Sequence, residues 1–421
     1  MSKEIKDKIT KMGSDALMAS RALANLTTDQ KNKILLAMAD GILSDADQII
    51  SANAIDLDNA VKNNLTNSMI DRLRLDQKRI EAIADGIRQV ATLPDPVGKI
   101  MDEWERPNGI KIKQIRVPIG IIGIIYESRP NVTSDAAVLC LKTGNATILR
   151  GGKESINSNI AISDSLQNAG EKAGLPENSI QLIPFTDRES VKHLAEMDEY
   201  LDLIIPRGGA GLIEAVVSMA RIPVIKHYDG ICHTYVDSEC DLEMALNIVM
   251  DAKTQKPSVC NALETLLVSE KIADTFLPAI GKLLSEQQVE IRADDLSRNL
   301  LGVDSVEVKP DDWKTEYLDL IVSIKVVSDV NEAIDHINNY GSHHSDCIIT
   351  ESETNANKFM NNVDSATVFW NVSTRFSDGE EFGFGAEIGI STDKLHARGP
   401  MALRELTSYK YLISGKGQTK A

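Results

Sequence analysis

The sequence predicts an α/β protein with two successive parallel-sheet regions behind a helical amino-terminal part. Three observations lead there. From residue 117 onward, short apolar runs such as "GIIGIIY", "NATILRG" and "LDLIIP" alternate with helix-like segments. Continuous apolar strands joined by helical crossovers belong to a parallel sheet covered on both faces. The alternation resumes near "CHTYVD" and runs to "SATVFWN", which gives a second region of the same class. Glycine clusters, "ILRGGKES" and "IIPRGGAGLI", follow two strands of the first region, and sheets of this type bind nucleotides beyond the carboxyl ends of their strands.

Residues 1 to about 95 read as helical: "QKNKILLAMADGILSDADQIISAN" carries apolar residues at helical spacing, and "TTDQ" ahead of it has the form of a capping box. After the Pro/Gly break "TLPDPVG", the turn Pro107-Asn108-Gly109 followed by the alternating "IKIKQIRV" predicts a hairpin. In the first sheet region the strands are "GIIGIIY", "NATILRG", "SIQLIP", "LDLIIP" and "IPVIKH", with helices between them over "SDAAVLCLKTG", "INSNIAISDSLQNAGEKAG", "SVKHLAEM" and "LIEAVVSMA". The second region holds the helix "DLEMALNIVMDAKT", a loop with Cys260, the strand "ETLLVSE", the helix "IADTFLPAIGKLLSEQ", the strand "DLIVSIKVV", the helix "VNEAIDHINNYG" and two further strands. The carboxyl end, "MALRELTSYKYLIS", predicts a short helix and a strand able to pair with the hairpin of a neighbouring subunit.

At 421 residues and 43% hydrophobic content the chain is long enough for two or three domains with full cores. The 62 acidic against 45 basic residues give a formal charge of −17, which excludes a nucleic-acid or anionic-membrane surface as the expected partner and leaves small molecules or further copies of the chain. The start "MSKEIKDKIT" lacks the apolar core of a secretory signal and no stretch is apolar long enough to span a membrane, so a cytoplasmic location is expected. The five cysteines are scattered without CxxC spacing. They indicate neither a disulfide framework nor a structural zinc site. Cys232, His233 and Cys240 fit none of the usual ligand spacings, and no metal is expected.

Three features point to chemistry. Cys260 stands alone in "QKPSVCNALETLLV", between a Pro-Ser kink and a strand; a lone cysteine is ordinarily a small buried hydrophobe, and only its context raises a reactive role. Arg150 and Lys153 flank Gly151 and Gly152 at a strand's carboxyl end, where cations can meet a ribose or its 2′-phosphate. Gly208, Gly209 and Gly211 open a helix, where bare backbone N–H groups can face phosphate, although glycine after a strand often marks a turn alone. The ordinary G-x-G-x-x-G fingerprint is missing after the first strand.

The order of "VPIGIIGIIY", "KTGNATILRGGKES", "IIPRGGAGLI", "HYDGICHTYVD", the cysteine loop, "TEYLDLIVSIKVVSDVNEAIDHINNYG" and "WNVSTRF...FGFGAEIGIS" resembles the aldehyde dehydrogenase superfamily. Within it, "YESRPNVTSDAA", "LRGGKES", "NALETLLV" and "LHARGPMALRELT" resemble the gamma-glutamyl phosphate reductase family, over nearly the whole chain. The resemblance implies an aldehyde-dehydrogenase-like fold: a Rossmann-like cofactor domain (1–100 and 117–227), an α/β catalytic domain (228–399), and a small oligomerisation hairpin and tail (101–116 and 400–421). It implies NADPH-dependent reduction of L-glutamyl 5-phosphate to glutamate 5-semialdehyde, a step of proline biosynthesis, by a homo-oligomer functionally linked to a separate glutamate 5-kinase.

By the same resemblance Cys260 matches the nucleophile, which would displace phosphate and carry the acyl group as a thioester. Asn131 is the nearest match to the oxyanion-hole asparagine, worth about 3 to 4 kcal/mol where it acts, with a turn residue after Pro130 as the alternative. Glu316 matches the glutamate that meets the nicotinamide ribose. Arg150 and Lys153 match the adenosine-ribose positions and favour NADP over NAD; Gly208 and Gly209 match the second glycine-rich segment. Arg129, Arg207, Arg375 and Arg398 lie in family-like loops and are the candidates for clamping substrate phosphate and carboxylate. His227 stands where hydrolytic relatives place a water-activating glutamate, a departure that agrees with reduction rather than hydrolysis. Three rivals stay open: a reductase or dehydrogenase of the same superfamily acting on a different acyl phosphate or aldehyde, a cysteine hydrolase using His227 or His233 as base, and a silent binding protein of the same fold.

Overall fold

The computed structural model describes residues 2–226 and 229–420. The chain forms two compact units, one of Met1–Lys226, Phe384–Gly389 and Met401–Ala421, the other of His227–Gly383 and Ile390–Pro400.

The first unit begins with five helices, α1 (Ser2–Leu23), α2 (Thr28–Ser44), α3 (Ala46–Lys62), α4 (Asn67–Leu73) and α5 (Gln77–Thr92). The capping box forms as expected: the Thr27 hydroxyl accepts from the Gln30 N–H at 3.3 Å and the Gln30 carboxamide accepts from the Thr27 N–H at 2.8 Å. It starts α2 in a register that buries Ile34, Leu35, Met38 and Ile42. The hairpin β1 (Ile100–Glu105) and β2 (Lys111–Pro118) follows, with Gly109 at φ +81° in its turn.

Next come β3 (Ile121–Tyr126), α6 (Asn131–Lys142), β4 (Ala146–Arg150), α7 (Ile156–Ala173), β5 (Ile180–Leu182), α8 (Arg188–Ala195), β6 (Leu203–Arg207) and α9 (Ala210–Met219). The strands make one parallel sheet in the order β5-β4-β3-β6. The expected strand at "IPVIKH" shrinks to a single bridge between Val224 and Ile204. Pro223 has no N–H with which to extend the ladder.

The second unit contains β7 (Cys232–Val236), α10 (Leu242–Thr254), β8 (Leu263–Ser269), α11 (Glu270–Glu286), β9 (Glu290–Ala293), α12 (Asp295–Leu301), β10 (Val306–Glu307), β11 (Ile321–Val327), α13 (Val330–Tyr340), β12 (Ser345–Ile349), α14 (Glu353–Asn362) and β13 (Thr367–Trp370). They form a seven-stranded sheet in the order β10-β9-β11-β8-β7-β12-β13, parallel throughout. Its core is mostly aliphatic, with Val249, Leu266, Val268, Leu277, Ile280, Val322 and Ile324 fully buried around Phe276. Because β11, β8, β7 and β12 are neighbours and all parallel, the loops leading into them meet along one edge.

The chain ends with the short strands β14 (Gly389–Ser391) and β15 (Gly399–Met401), then β16 (Thr407–Ser414). Two expectations for this tail are corrected. Residues 402–406 form a turn, not a helix. The tail strand pairs with its own hairpin, β16 lying antiparallel to β2 from Thr407↔Pro118 to Ser414↔Lys111. A strand that returns to its own chain satisfies β2's open edge without an association step.

Candidate active site

Between the end of α10 and the start of β8 the chain turns through Gln255–Ala262, and Cys260 sits half-buried on that turn. Three elements of the same unit grip its peptide. Gly230 lies so close that a Cβ there would overlap the Cys260 carbonyl, so the position requires glycine for a close approach and not for its own φ. The Cys232 thiol, at the start of β7, donates to the same carbonyl at 3.2 Å; burial pushes that thiol well above its ordinary value, which keeps it a donor. On the other side Asn261 is locked by segment 374–377: its carboxamide donates to the carbonyl of Ser377 at 3.0 Å, and its own carbonyl accepts from the Thr374 hydroxyl at 2.7 Å. None of the five cysteines is in a disulfide.

Arg375 belongs to this loop. Its guanidinium donates to the side-chain oxygen of Gln255 at 3.0 Å and to that of Asn261, so it spans the two ends of the Cys260 turn while remaining partly exposed. Glu316 lies in the segment leading into β11, and its carboxylate accepts from the Gly230 N–H at 2.9 Å. Burial raises that carboxyl above its ordinary value, partly offset by the Gly230 bond. Cys260, Gly230 and Glu316 are thus joined through direct contacts, and Arg375 joins them through Gln255 and Asn261, on the amino-end edge of the second sheet. A cavity of about 340 Å³ adjoins them, lined by residues including Asp229, Ile231, Lys314, Tyr340 and Ser342.

Two residues absent from the sequence reading complete this edge. Lys253, in the last turn of α10, and Glu264, on β8, form a fully buried ion pair at 2.8 Å. Both had a signal: Glu264 interrupts the otherwise apolar face of "LETLLV", and a charge in such a run needs a buried partner. Gly230 and Cys232 had none, because their contribution is a backbone approach and a thiol donor from a different strand.

The remaining candidates lie elsewhere. In the first unit Arg150 is 9% exposed and donates to the carbonyls of Gly151 and Thr186, both at 3.0 Å; burial lowers its affinity for its proton. Its charge is committed to joining the loops after β4 and β5, and Lys153 is the exposed cation of the pair. Gly209 caps α9, and its N–H is already taken by the Glu127 carboxylate at 3.1 Å, with Gly208 pressed against the same carboxylate. Asn131 is the first residue of α6 and gives its carboxamide to Asp135, one turn on, at 2.8 Å. Arg129 is exposed in the turn before α6. Arg207 ends β6 and packs over the backbone of Gly389. In the second unit Arg398 is ion-paired with Asp364 at 2.7 Å.

His227 lies outside the described residues. His233 is fully buried, its Nδ1 3.0 Å from the Asp346 carboxylate and its ring edge-on to His336 at 5.6 Å. Among the described residues no group of three or more His, Cys, Asp and Glu side chains is arranged to hold a metal ion, and no helix is long and apolar enough to cross a membrane.

Comparison with known proteins adds the following. Residues 1–297 match the sequence model of the Aldehyde dehydrogenase family. Gamma-glutamyl phosphate reductase of Halothermothrix orenii is 52% identical over 418 residues, which cover 99% of this chain and 100% of the relative. The protein of the same name from Caldanaerobacter subterraneus subsp. tengcongensis is 54% identical over 402 residues, covering 96% and 97%. The crystal structure of gamma-glutamyl phosphate reductase from Thermotoga maritima superposes with a TM-score of 0.96 over 98% of this chain and 99% of that one, at 46% identity.

Proposed function

The chain belongs to the gamma-glutamyl phosphate reductase family of the aldehyde dehydrogenase superfamily, and from that premise we propose that it reduces L-glutamyl 5-phosphate to glutamate 5-semialdehyde with NADPH, through a thioester on Cys260, in proline biosynthesis. The observation that carries this reading is the Cys260 turn, fixed by Gly230, Cys232 and Asn261 and placed beside a half-buried carboxylate and a partly exposed guanidinium.

An acyl phosphate is an activated carbonyl. The Cys260 thiolate attacks its carbon, a C–S bond forms, the C–O bond to phosphate breaks, and phosphate leaves. When bound, reduced nicotinamide would supply the hydride that the thioester carbon accepts. The resulting oxyanion re-forms C=O as the C–S bond breaks, releasing the aldehyde and returning the thiolate, so no proton has to be supplied at sulfur. The soft sulfur is a better nucleophile and leaving group here than an alkoxide.

The residues present fit a nicotinamide cofactor. Glu316 uses one oxygen on Gly230, and its other oxygen is assigned to the nicotinamide ribose. Lys153, exposed after β4, is assigned to the adenosine ribose phosphate, with buried Arg150 shaping the loop beneath it. Gly208 and Gly209 are assigned to the close approach of cofactor backbone beside Glu127. Arg375 is the phosphate clamp best supported of the four arginines, because its guanidinium bonds both ends of the Cys260 turn; Arg398 is held by Asp364. Asn131 remains the proposed oxyanion donor. A homo-oligomer is proposed through the sheet β1-β2-β16, whose exposed Trp104, Tyr409, Tyr411 and Ile413 form an apolar strip.

The test is the reverse reaction. With glutamate 5-semialdehyde, phosphate and NADP+, the protein is expected to form NADPH over repeated turnovers only when all three are present, and to stop at the acyl-enzyme when phosphate is withheld. Sustained NADPH formation without phosphate, well beyond one equivalent per enzyme, would replace this reading with a hydrolytic one.

A further inference from the structure

We infer that the buried Lys253–Glu264 pair is a positioning unit that holds the Cys260 turn and the Glu316 segment in register with each other. The inference rests on the roles of Cys260 and Glu316 given above. Lys253 precedes the turn at the end of α10 and Glu264 follows it on β8, and both side chains are fully buried. Lys253 Nζ also donates to the carbonyl of Leu263 at 2.8 Å, which pins the exit of the turn to its entrance.

The second oxygen of Glu264 accepts from the Leu318 N–H at 3.2 Å. Leu318 is a non-glycine residue at φ +54°, a left-handed conformation that an L side chain holds only when its surroundings impose it. That reversal sends Glu316 to the Gly230 N–H, and Gly230 bears on the Cys260 carbonyl. The chain of contacts therefore leaves the turn at its exit strand and returns to it at the nucleophile's own peptide.

Stability does not account for the pair. Burial pushes the Glu264 carboxyl up and the Lys253 ammonium down, both toward neutrality, and apolar residues of similar volume in such places are often neutral or stabilising. What apolar residues cannot do is accept the Leu318 N–H and secure Leu263 at once. Glutamine cannot either: its single oxygen must choose between Lys253 and Leu318, and its amide donors face an ammonium. The segment keeps another anchor, the Tyr317 hydroxyl 2.7 Å from that of Ser323 with Arg292 over the ring at 4.9 Å, so loss of the pair loosens the reversal without unfolding it.

The experiment compares wild type with Glu264→Gln and with the apolar replacement Lys253→Met/Glu264→Leu, which guards against a variant that fails to fold around an unpaired charge. Amide hydrogen exchange, read by mass spectrometry, is expected to accelerate at least tenfold in residues 314–320 and also in 229–232, where the chain of contacts through Glu316 returns to the turn. In the phosphate-dependent reaction kcat is expected to fall at least tenfold while KM for phosphate stays within twofold. A folded variant with wild-type exchange at 229–232, or with kcat within twofold of wild type, overturns the inference. Exchange does not depend on the reaction assigned, so a failure of the Cys260 reading, seen as retained activity in Cys260→Ser, is distinguishable from a failure of this one.

Discussion

Cys260 owes its assigned role to the side chains and peptides around it. Its carbonyl is gripped by the Gly230 backbone and the Cys232 thiol, and the next residue is locked by Thr374 and Ser377. Cys260→Ser is expected to lose phosphate-dependent NADPH formation by orders of magnitude, since an alkoxide is far less available than a thiolate near neutral pH; a rate within tenfold of wild type would remove the thiol from the mechanism. Gly230→Ala is expected to fold yet lose at least tenfold in kcat, because the added methyl must displace the Cys260 carbonyl. Arg375→Ala is expected to raise KM for phosphate at least tenfold, with KM for NADP+ little changed; steady-state kinetics with each substrate varied separates the two. Motifs in the sequence led to Cys260, Glu316 and Arg375, which the structure brings onto one edge of the second sheet. They could not reveal Gly230 or Cys232 as neighbours of Cys260, because the closeness of two loops is set by strand order and not by spacing along the chain.

At the scale of elements, the structure is governed by caps and edges. The amino end of α7 is closed from outside, by Asp56 of α3: its buried carboxylate accepts from the Ser158 N–H at 2.8 Å and the Asn157 N–H at 3.3 Å, and from both side chains. Asp56→Ala strands these donors in the interior and is expected to cost about 1–3 kcal/mol in chemical denaturation; no change in the midpoint would mean that water replaces the carboxylate. This cap was invisible in the sequence, since Asp56 looks like an ordinary helix-surface acid, whereas the capping box at Thr27 was legible because both partners lie within one turn. Period-2 and period-3.6 patterns likewise gave the hairpin and most strands and helices. They failed where pairing decides the outcome: β16 has a strand's composition, but only the open edge of β2 determines that it returns to its own chain. Val224 has a strand's neighbours, but Pro223 ends the ladder.

Across the whole molecule, two parallel sheets were legible from alternating apolar runs and crossover helices, while the strand order of the second, which carries the site, was not. Global stability also has a readable pH dependence. Lys394 and Arg398, bonded to the Asp364 carboxylate, hold it down from its ordinary 3.8 to about 2. A carboxylate whose folded value is depressed contributes stability that is present above its unfolded value and is lost as pH falls through its folded one. The contribution is therefore expected to be complete near neutrality and to disappear between about pH 4 and pH 2. Acid-unfolding curves of wild type and Asp364→Asn should differ at neutral pH and converge toward pH 2. The pair is partly exposed, so the difference should be small and should shrink with added salt.

The most direct measurement withholds phosphate. Glutamate 5-semialdehyde and NADP+ alone let the reverse reaction run to the acyl-enzyme, and without phosphate the acyl group has no acceptor. Peptide mass spectrometry of that mixture is expected to find the glutamyl group on the peptide containing Cys260, and to find it vanish when phosphate is added. An acyl group on any other side chain, or NADPH formation with no acylated enzyme, would contradict the account.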